Sequence, residues 1–268
     1  MRLPAILTVL LAIALCAAPA AAATRAQPLD WTVDGDSFSG WLVYDDASAE
    51  LRPGLVMVPN WMGVTDAAVE RARAVAGDGY VVLVADVYGK DRRPANAAEA
   101  SKLVGTLRGD DRALLRARTR AAVDVLKAQA GTAPLRPGEV GAFGFCFGGT
   151  AVLELARDGT PMAGVVSLHG GLAPGAQSAT AAAIPAKVLV LNGAADRAVP
   201  PEDIVAFGSE MDGAGADWQF VNFSGAVHCF AEPGAGNDPA SNCRYDERAA
   251  ARAYRMMDGF FGEAFGAD

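Results

Sequence analysis

Histidine and cysteine are scarce in this chain, at two and four residues in 268. Four cysteines are too few for a disulfide scaffold. The histidines are His169 and His228, so any mechanism that needs an imidazole has two candidates. Positive charge is also in short supply. Lys and Arg number 23 against 31 Asp and Glu, a formal net charge of −8. That balance argues against broad, sequence-blind nucleic-acid binding. No repeat occurs at solenoid spacing, and no run after Thr24 is long and apolar enough to span a bilayer. What the chain does have is apolar content, 51% of residues, which excludes intrinsic disorder. The length suits one large domain.

The first residues do not belong to that domain. Met1 and Arg2 carry positive charge, residues 3–18 form an apolar run, and residues 20–23 are all alanine. This is the pattern of a secretory signal peptide over residues 1–23, which leaves 24–268 as the mature domain. A transmembrane anchor is the alternative, but the apolar core is short for one and no basic stop-transfer cluster follows. A lipoprotein would use Cys16, yet the bulky Leu15 precedes it. The mature protein is therefore expected to be exported, periplasmic or secreted, with no membrane attachment after cleavage. Three thiols remain in an oxidising compartment, which implies one disulfide and one free cysteine. Cys229 and Cys243 close a 15-residue loop. A bridge there would stabilise by about 3 kcal/mol in the chain-entropy model. Cys146 would be the free thiol; the alternative is that all three are reduced and buried.

Along the mature chain, residues 24–28 read as a short leader and 38–44 as an edge strand. Continuous apolar runs at 55–58 and 80–85 read as strands buried on both faces. Further strands are expected at 140–145, 164–168, 187–191 and 218–223. Helical patterns fall at 67–75, 97–107, 111–130, 147–157, 201–213 and 246–265, and Pro201 suits a first helical turn. The segment 177–185 is Ala-rich and reads as a surface loop. Strands alternating with helices predict an α/β fold, one domain with a mostly parallel central sheet flanked by helices.

The most informative segment is Gly144-Phe-Cys146-Phe-Gly148-Gly149, between an expected strand and an expected helix. Gly-x-Cys-x-Gly there has the form of a nucleophile elbow with sulfur in place of the serine oxygen. The small residues two positions away leave room for a strained turn, and the helix N-terminus favours a thiolate. The bland alternative is a Gly-rich turn that holds a buried cysteine. No Lys-Ser/Thr follows Gly149, so the segment is not a P-loop, and its glycine spacing does not fit a dinucleotide fingerprint. A thiol nucleophile needs a base, and the base needs an orienting acid. In this type of sheet the chain order is nucleophile, acid, histidine. Asp196 and His228 each follow an expected strand and obey that order. His169 also ends a strand but precedes Asp196, so it reads as a pocket residue or a structural one.

These segments together resemble the dienelactone hydrolase family of the α/β-hydrolase superfamily, over nearly all of the mature chain from about Gly54 to Phe265. The resemblance rests on Ala85-Asp86-Val-Tyr88-Gly89, the elbow, Ser167-Leu-His169-Gly170, Gly193-Ala-Ala-Asp196, and Gly225-Ala-Val-His228-Cys-Phe230. It implies a Cys146–His228–Asp196 triad and a thioester acyl-enzyme. It also implies an oxyanion hole from the backbone N–H groups of Phe147 and Trp61, and no metal or organic cofactor. Two departures stand out. Where the family carries a glutamate near the resting thiol, this chain has Asn60. Where it carries a substrate-binding arginine four residues past the histidine, this chain has Glu232. A negative charge there should repel a carboxylated lactone, with Arg92 and Arg93 as other candidates for an anion contact. Asn60, His169 and Glu232 are accordingly the expected pocket residues. The reading is a hydrolase of a small ester, thioester or lactone, with that small molecule as its expected partner and neither nucleic acid nor membrane. The alternatives are a non-catalytic binding protein on the same fold and a redox-active thiol protein. The absence of any C-x-x-C weakens the last.

Overall fold

The computed structural model describes residues 24–77, 79–175 and 183–266. The expected signal peptide lies outside the described residues, as does most of the Ala-rich segment. Eight strands run in the chain order β1 (Thr24–Val33), β2 (Asp36–Asp45), β3 (Arg52–Val58), β4 (Val81–Val84), β5 (Leu135–Phe145), β6 (Gly164–Leu168), β7 (Lys187–Gly193) and β8 (Trp218–Phe223). They form one sheet in the order β1-β2-β4-β3-β5-β6-β7-β8. β1 and β2 are antiparallel, and every pairing from β4 through β8 is parallel. Among the described residues, six α-helices cover it: α1 (Asp66–Gly77), α2 (Ala97–Arg108), α3 (Ala113–Lys127), α4 (Phe147–Arg157), α5 (Pro201–Gly213) and α6 (Glu247–Ala264).

The continuous apolar runs divide by parity, because successive strand side chains point to opposite faces. Val56 and Val58 of β3 and Val188 and Val190 of β7 join the core under α2–α5. Leu55, Met57, Leu189 and Leu191 join the core under α1 and α6. Strands buried on both faces have no polar alternation to show, which is why they read as unbroken hydrophobic stretches. The helices are stopped and started by local chemistry. Asn96 caps α2 by accepting from the Glu99 N–H at 3.0 Å. Asp246 caps α6 by accepting from the Ala249 N–H at 2.9 Å. Along α6, Ala249, Ala250, Ala253, Met257, Phe260 and Phe261 are buried, the spacing of a single apolar stripe.

Two expectations fail at the antiparallel end. Residues 24–28 are not a leader but the start of β1, and β2 is an inner strand between β1 and β4 rather than an edge. β1 and β2 form a hairpin closed by Asp34 and Gly35 at φ +50° and +86°. Asp-Gly suits the left-handed conformations of such a turn. The parallel strands all end at one edge of the sheet, where open α/β folds place their ligands. Cys146, His169 and Asp196 sit just beyond β5, β6 and β7, Asn60 and Trp61 beyond β3, and His228 beyond β8.

Candidate active site

Cys146 is held at φ +53°, ψ −116°, between the end of β5 and the first residue of α4. A non-glycine residue at positive φ is strained, and the neighbouring glycines permit it. A Cβ on Gly144 would overlap the Gly148 carbonyl, and one on Gly148 would overlap the Val58 carbonyl. The turn therefore requires both glycines of the elbow. It leaves the Cys146 thiol free of any disulfide and partly accessible.

His228 bridges the thiol and the acid. Its Nε2 lies 3.0 Å from Cys146 Sγ, and its Nδ1 lies 2.7 Å from Asp196 Oδ2. Burial works against a charged imidazole. The hydrogen bonds and charge of Asp196 and Cys146 overcome it and push the His228 pKa up to about 10. Asp196 is also desolvated, yet its bonds to His228, Ala198 and Asn242 hold its carboxyl below the usual value. Its Oδ1 accepts from the Ala198 N–H at 2.8 Å and from Asn242 Nδ2 at 3.0 Å. The three residues picked by chain order are thus brought together.

The segments that carry the expected oxyanion donors, Phe147 and Trp61, both touch Tyr88. The N–H groups of Phe147 and Trp61 have no hydrogen-bond partner among the described residues. Tyr88 joins the two: its ring stacks on Phe147 with centroids 5.8 Å apart, and its hydroxyl donates to the Trp61 carbonyl at 2.8 Å. Sequence reasoning quoted Tyr88 only within a motif and assigned it no part in the site.

A second imidazole–carboxylate pair lies beside the first. His169 is fully buried, and its ring centroid is 5.2 Å from that of His228. Its Nδ1 accepts from the Cys146 N–H at 3.1 Å. The proton must then sit on Nε2, which faces Glu232 Oε1 at 3.8 Å. Desolvation, reinforced by the charge of His228, drives the His169 pKa well down, so this ring is neutral. Glu232 is not the open charge expected from its position. It is 5% exposed, its Oε2 accepts from Asn60 Nδ2, and Arg71 lies 3.4 Å away. Burial raises its pKa against the opposing pull of Arg71 and Asn60. The expected repulsion of an anionic substrate is therefore offset, because Arg71 meets the charge. Arg93 is committed elsewhere, to Asp86 at 2.9 Å and the Ser39 carbonyl at 2.6 Å, and neither Arg92 nor Arg93 lines the cavity.

Arg71 and Asn242 are the functional-region residues that sequence reasoning missed. Arg71 interrupts the buried stripe Ala68, Ala72, Val75 of α1, and that polar break was its one signal. Its guanidinium lies 4.6 Å from the centroid of Phe145. The expected disulfide joins Cys229 and Cys243. A cavity of about 620 Å³ opens over Cys146 and His228. Trp61, Met62, Ala67, Ala68 and Ala235 make most of its wall apolar, with Asn60, Arg71 and Glu232 at its polar end. Among the described residues, no group of three His, Cys, Asp or Glu side chains is arranged to hold a metal ion.

The chain is similar to known hydrolases. The model of the dienelactone hydrolase family matches residues 38–265. A probable 2-oxo-3-(5-oxofuran-2-ylidene)propanoate lactonase of Bradyrhizobium sp. is 28% identical over 78% of this chain and 87% of its own. An uncharacterized protein of Caenorhabditis elegans is 34% identical over 47% of this chain and 81% of its own. Among solved structures, a dienelactone hydrolase-like promiscuous phosphotriesterase from metagenomic libraries is 38% identical, with a TM-score of 0.83 over 91% of this chain and 100% of that one. With a family match that runs from β2 to the end of α6, the chain belongs to the dienelactone hydrolase family and is a hydrolase of the α/β-hydrolase fold.

Proposed function

We propose that this protein hydrolyses a small carboxylic ester, thioester or lactone through a thioester acyl-enzyme on Cys146. The observation that carries the reading is His228 held between Cys146 Sγ at 3.0 Å and Asp196 Oδ2 at 2.7 Å. An imidazole nitrogen against sulfur, with a carboxylate behind it, is the arrangement of a nucleophile, its base and an orienting acid. Cys146 Sγ attacks the carbonyl carbon and the carbonyl π electrons move to oxygen. That oxyanion accepts from the N–H groups of Phe147 and Trp61. Collapse of the tetrahedral adduct breaks the C–O or C–S bond, and His228 Nε2 gives its proton to the leaving alkoxide or thiolate. The imidazole then takes a proton from water as the oxygen attacks the thioester. The second collapse expels the Cys146 sulfur and releases the carboxylic acid. Asp196 keeps the Nδ1 proton in place throughout.

The cavity favours a substrate whose body is apolar. Glu232 and Arg71 neutralise one another at the polar end, so a net charge on the substrate gains little there. We also propose that the protein acts after export, since residues 1–23 read as a signal peptide and a disulfide suits an oxidising compartment. The phosphotriesterase at 38% identity motivates a second substrate class, a phosphate triester attacked at phosphorus by the same sulfur.

The test is turnover of p-nitrophenyl acetate, a small lactone and a phosphate triester by wild type and Cys146→Ala. Loss of a nucleophile from such a triad costs about 10³-fold or more in kcat. Equal rates in the two proteins would contradict the catalytic reading and favour a binding protein.

A further inference from the structure

The Cys229–Cys243 bridge does more than close a loop. Cys229 directly follows the base, His228, and Cys243 directly follows Asn242. Asn242 uses both ends of its amide on the acid's turn. Its Nδ2 donates to Asp196 Oδ1 at 3.0 Å, and its Oδ1 accepts from the Arg197 N–H at 3.1 Å. Between the two cysteines, His228 pairs with Cys243 in an isolated β-bridge, and the Arg244 N–H donates to the His228 carbonyl at 3.1 Å. Cys229 itself sits at φ +61°, a left-handed conformation that a side chain does not hold without support. The base and the segment that orients the acid are therefore tied by one covalent bond and a short bridge of backbone contacts. No regular element separates them: between β8 and α6 the chain is irregular apart from one short turn at Pro233–Ala235.

We propose that the Cys229–Cys243 disulfide and Asn242 form one positioning unit for the His228–Asp196 pair, and that full turnover at Cys146 depends on the closed bridge. This rests on the hydrolase reading above for its readout, but the geometry it concerns is independent of the substrate. Neither sulfur touches the reacting atoms. The unit acts through His228 and Asp196, keeping the imidazole aimed at Cys146 Sγ. Small displacements there are costly, because general-base geometry operates over tenths of an ångström. Cys243 is exposed and lines the cavity, so a dithiol reductant in solution can reach it. Two thiol–disulfide exchanges would leave Cys229 and Cys243 as thiols and the reductant as its own disulfide.

The test compares wild type, wild type reduced with dithiothreitol, Cys229→Ser/Cys243→Ser, and Asn242→Ala, each checked for folding by circular dichroism. Two quantities are read: kcat and KM for p-nitrophenyl acetate, and the rate at which iodoacetamide alkylates Cys146 at pH 7, resolved by peptide mass spectrometry. In reduced wild type and in both variants the expected result is a kcat lower by about tenfold, a KM within about twofold, and Cys146 alkylation slowed by about tenfold, of the order seen when groups that orient a ligand or base are lost. A purely structural staple would change the melting temperature and leave both rates alone, and that result in the folded proteins would overturn the proposal. If the double variant does not fold, Asn242→Ala, which keeps the bridge, decides: unchanged kcat and alkylation there would overturn it. If wild type hydrolyses nothing in the panel but alkylation still depends on the bridge and Asn242, the positioning unit stands and the hydrolase reading falls.

Discussion

Two histidines stand at the same sheet edge, their rings 5.2 Å apart, each facing a carboxylate, and they behave in opposite ways. His228 bonds Asp196 at one nitrogen and Cys146 at the other, and its pKa rises to about 10. His169 spends Nδ1 on the Cys146 N–H, meets Glu232 only at 3.8 Å, and is driven well below its ordinary value by complete burial. The residue types nearly match, so composition does not separate them. What separates them is whether strong hydrogen bonds outweigh desolvation. One pair links an imidazole to the Cys146 sulfur; the other holds a neutral imidazole against the Cys146 backbone.

The largest effect should come from breaking the first pair. Asp196→Asn keeps the shape but presents an amide to His228 Nδ1, and kcat should fall by about 10³–10⁴-fold, measured by steady-state hydrolysis. The equivalent change in the second pair should act on stability. Glu232→Ala leaves the Arg71 guanidinium uncompensated and removes the carboxylate facing His169. Denaturant unfolding should show a loss of about 3 kcal/mol, the scale for removing one partner of a buried ion pair, with a much smaller change in kcat than Asp196→Asn. Asn60→Glu sharpens the contrast. It introduces the glutamate that the family resemblance implies at this position but sets a second carboxylate against Glu232. Without an arginine at position 232, it should destabilise by about 1–2 kcal/mol, and kcat should not rise.

The smallest effect is on pH-dependent stability. His228 has a raised folded pKa, so its contribution is complete below about 6.5 and is lost as pH climbs towards about 10. His169 has a lowered folded pKa, so its contribution is present above about 6.5 and is lost as pH falls below that value. The two slopes oppose each other and meet near pH 6.5. Thermal unfolding across pH 5–10 should show His169→Phe flattening the acid side and His228→Phe flattening the alkaline side.

Much of this was readable from residues alone, for a physical reason. Strands buried on both faces are unbroken apolar runs, and Pro201 marks the start of its helix, so helix 201–213 falls at its expected bounds, as does helix 147–157 after the glycine-flanked turn. Cys146, Asp196 and His228 stand out in the sequence because each follows a strand within about five residues, and the parallel sheet gathers strand ends at one edge. β1 was missed because it is a half-exposed edge strand of mixed polarity, with Leu29 and Trp31 only partly buried. The Asp34-Gly35 turn was the overlooked sign. Arg71 and Asn242 were missed because their roles depend on which way α1 faces and on a loop folded back by a disulfide. Neither leaves a periodicity to read. Glu232 is legible as a pocket residue, but its pairing is not, since its partner Arg71 lies 161 positions away in the chain.

In the proposed reaction Cys146 carries the acyl group. Wild type mixed with p-nitrophenyl acetate, quenched in acid within its first turnovers and digested, should yield an acetylated peptide containing Cys146. Asp196→Asn should accumulate less of it and Cys146→Ala none. Hydrolysis by wild type with no acetyl group on Cys146, or with the label on another residue, would contradict the account.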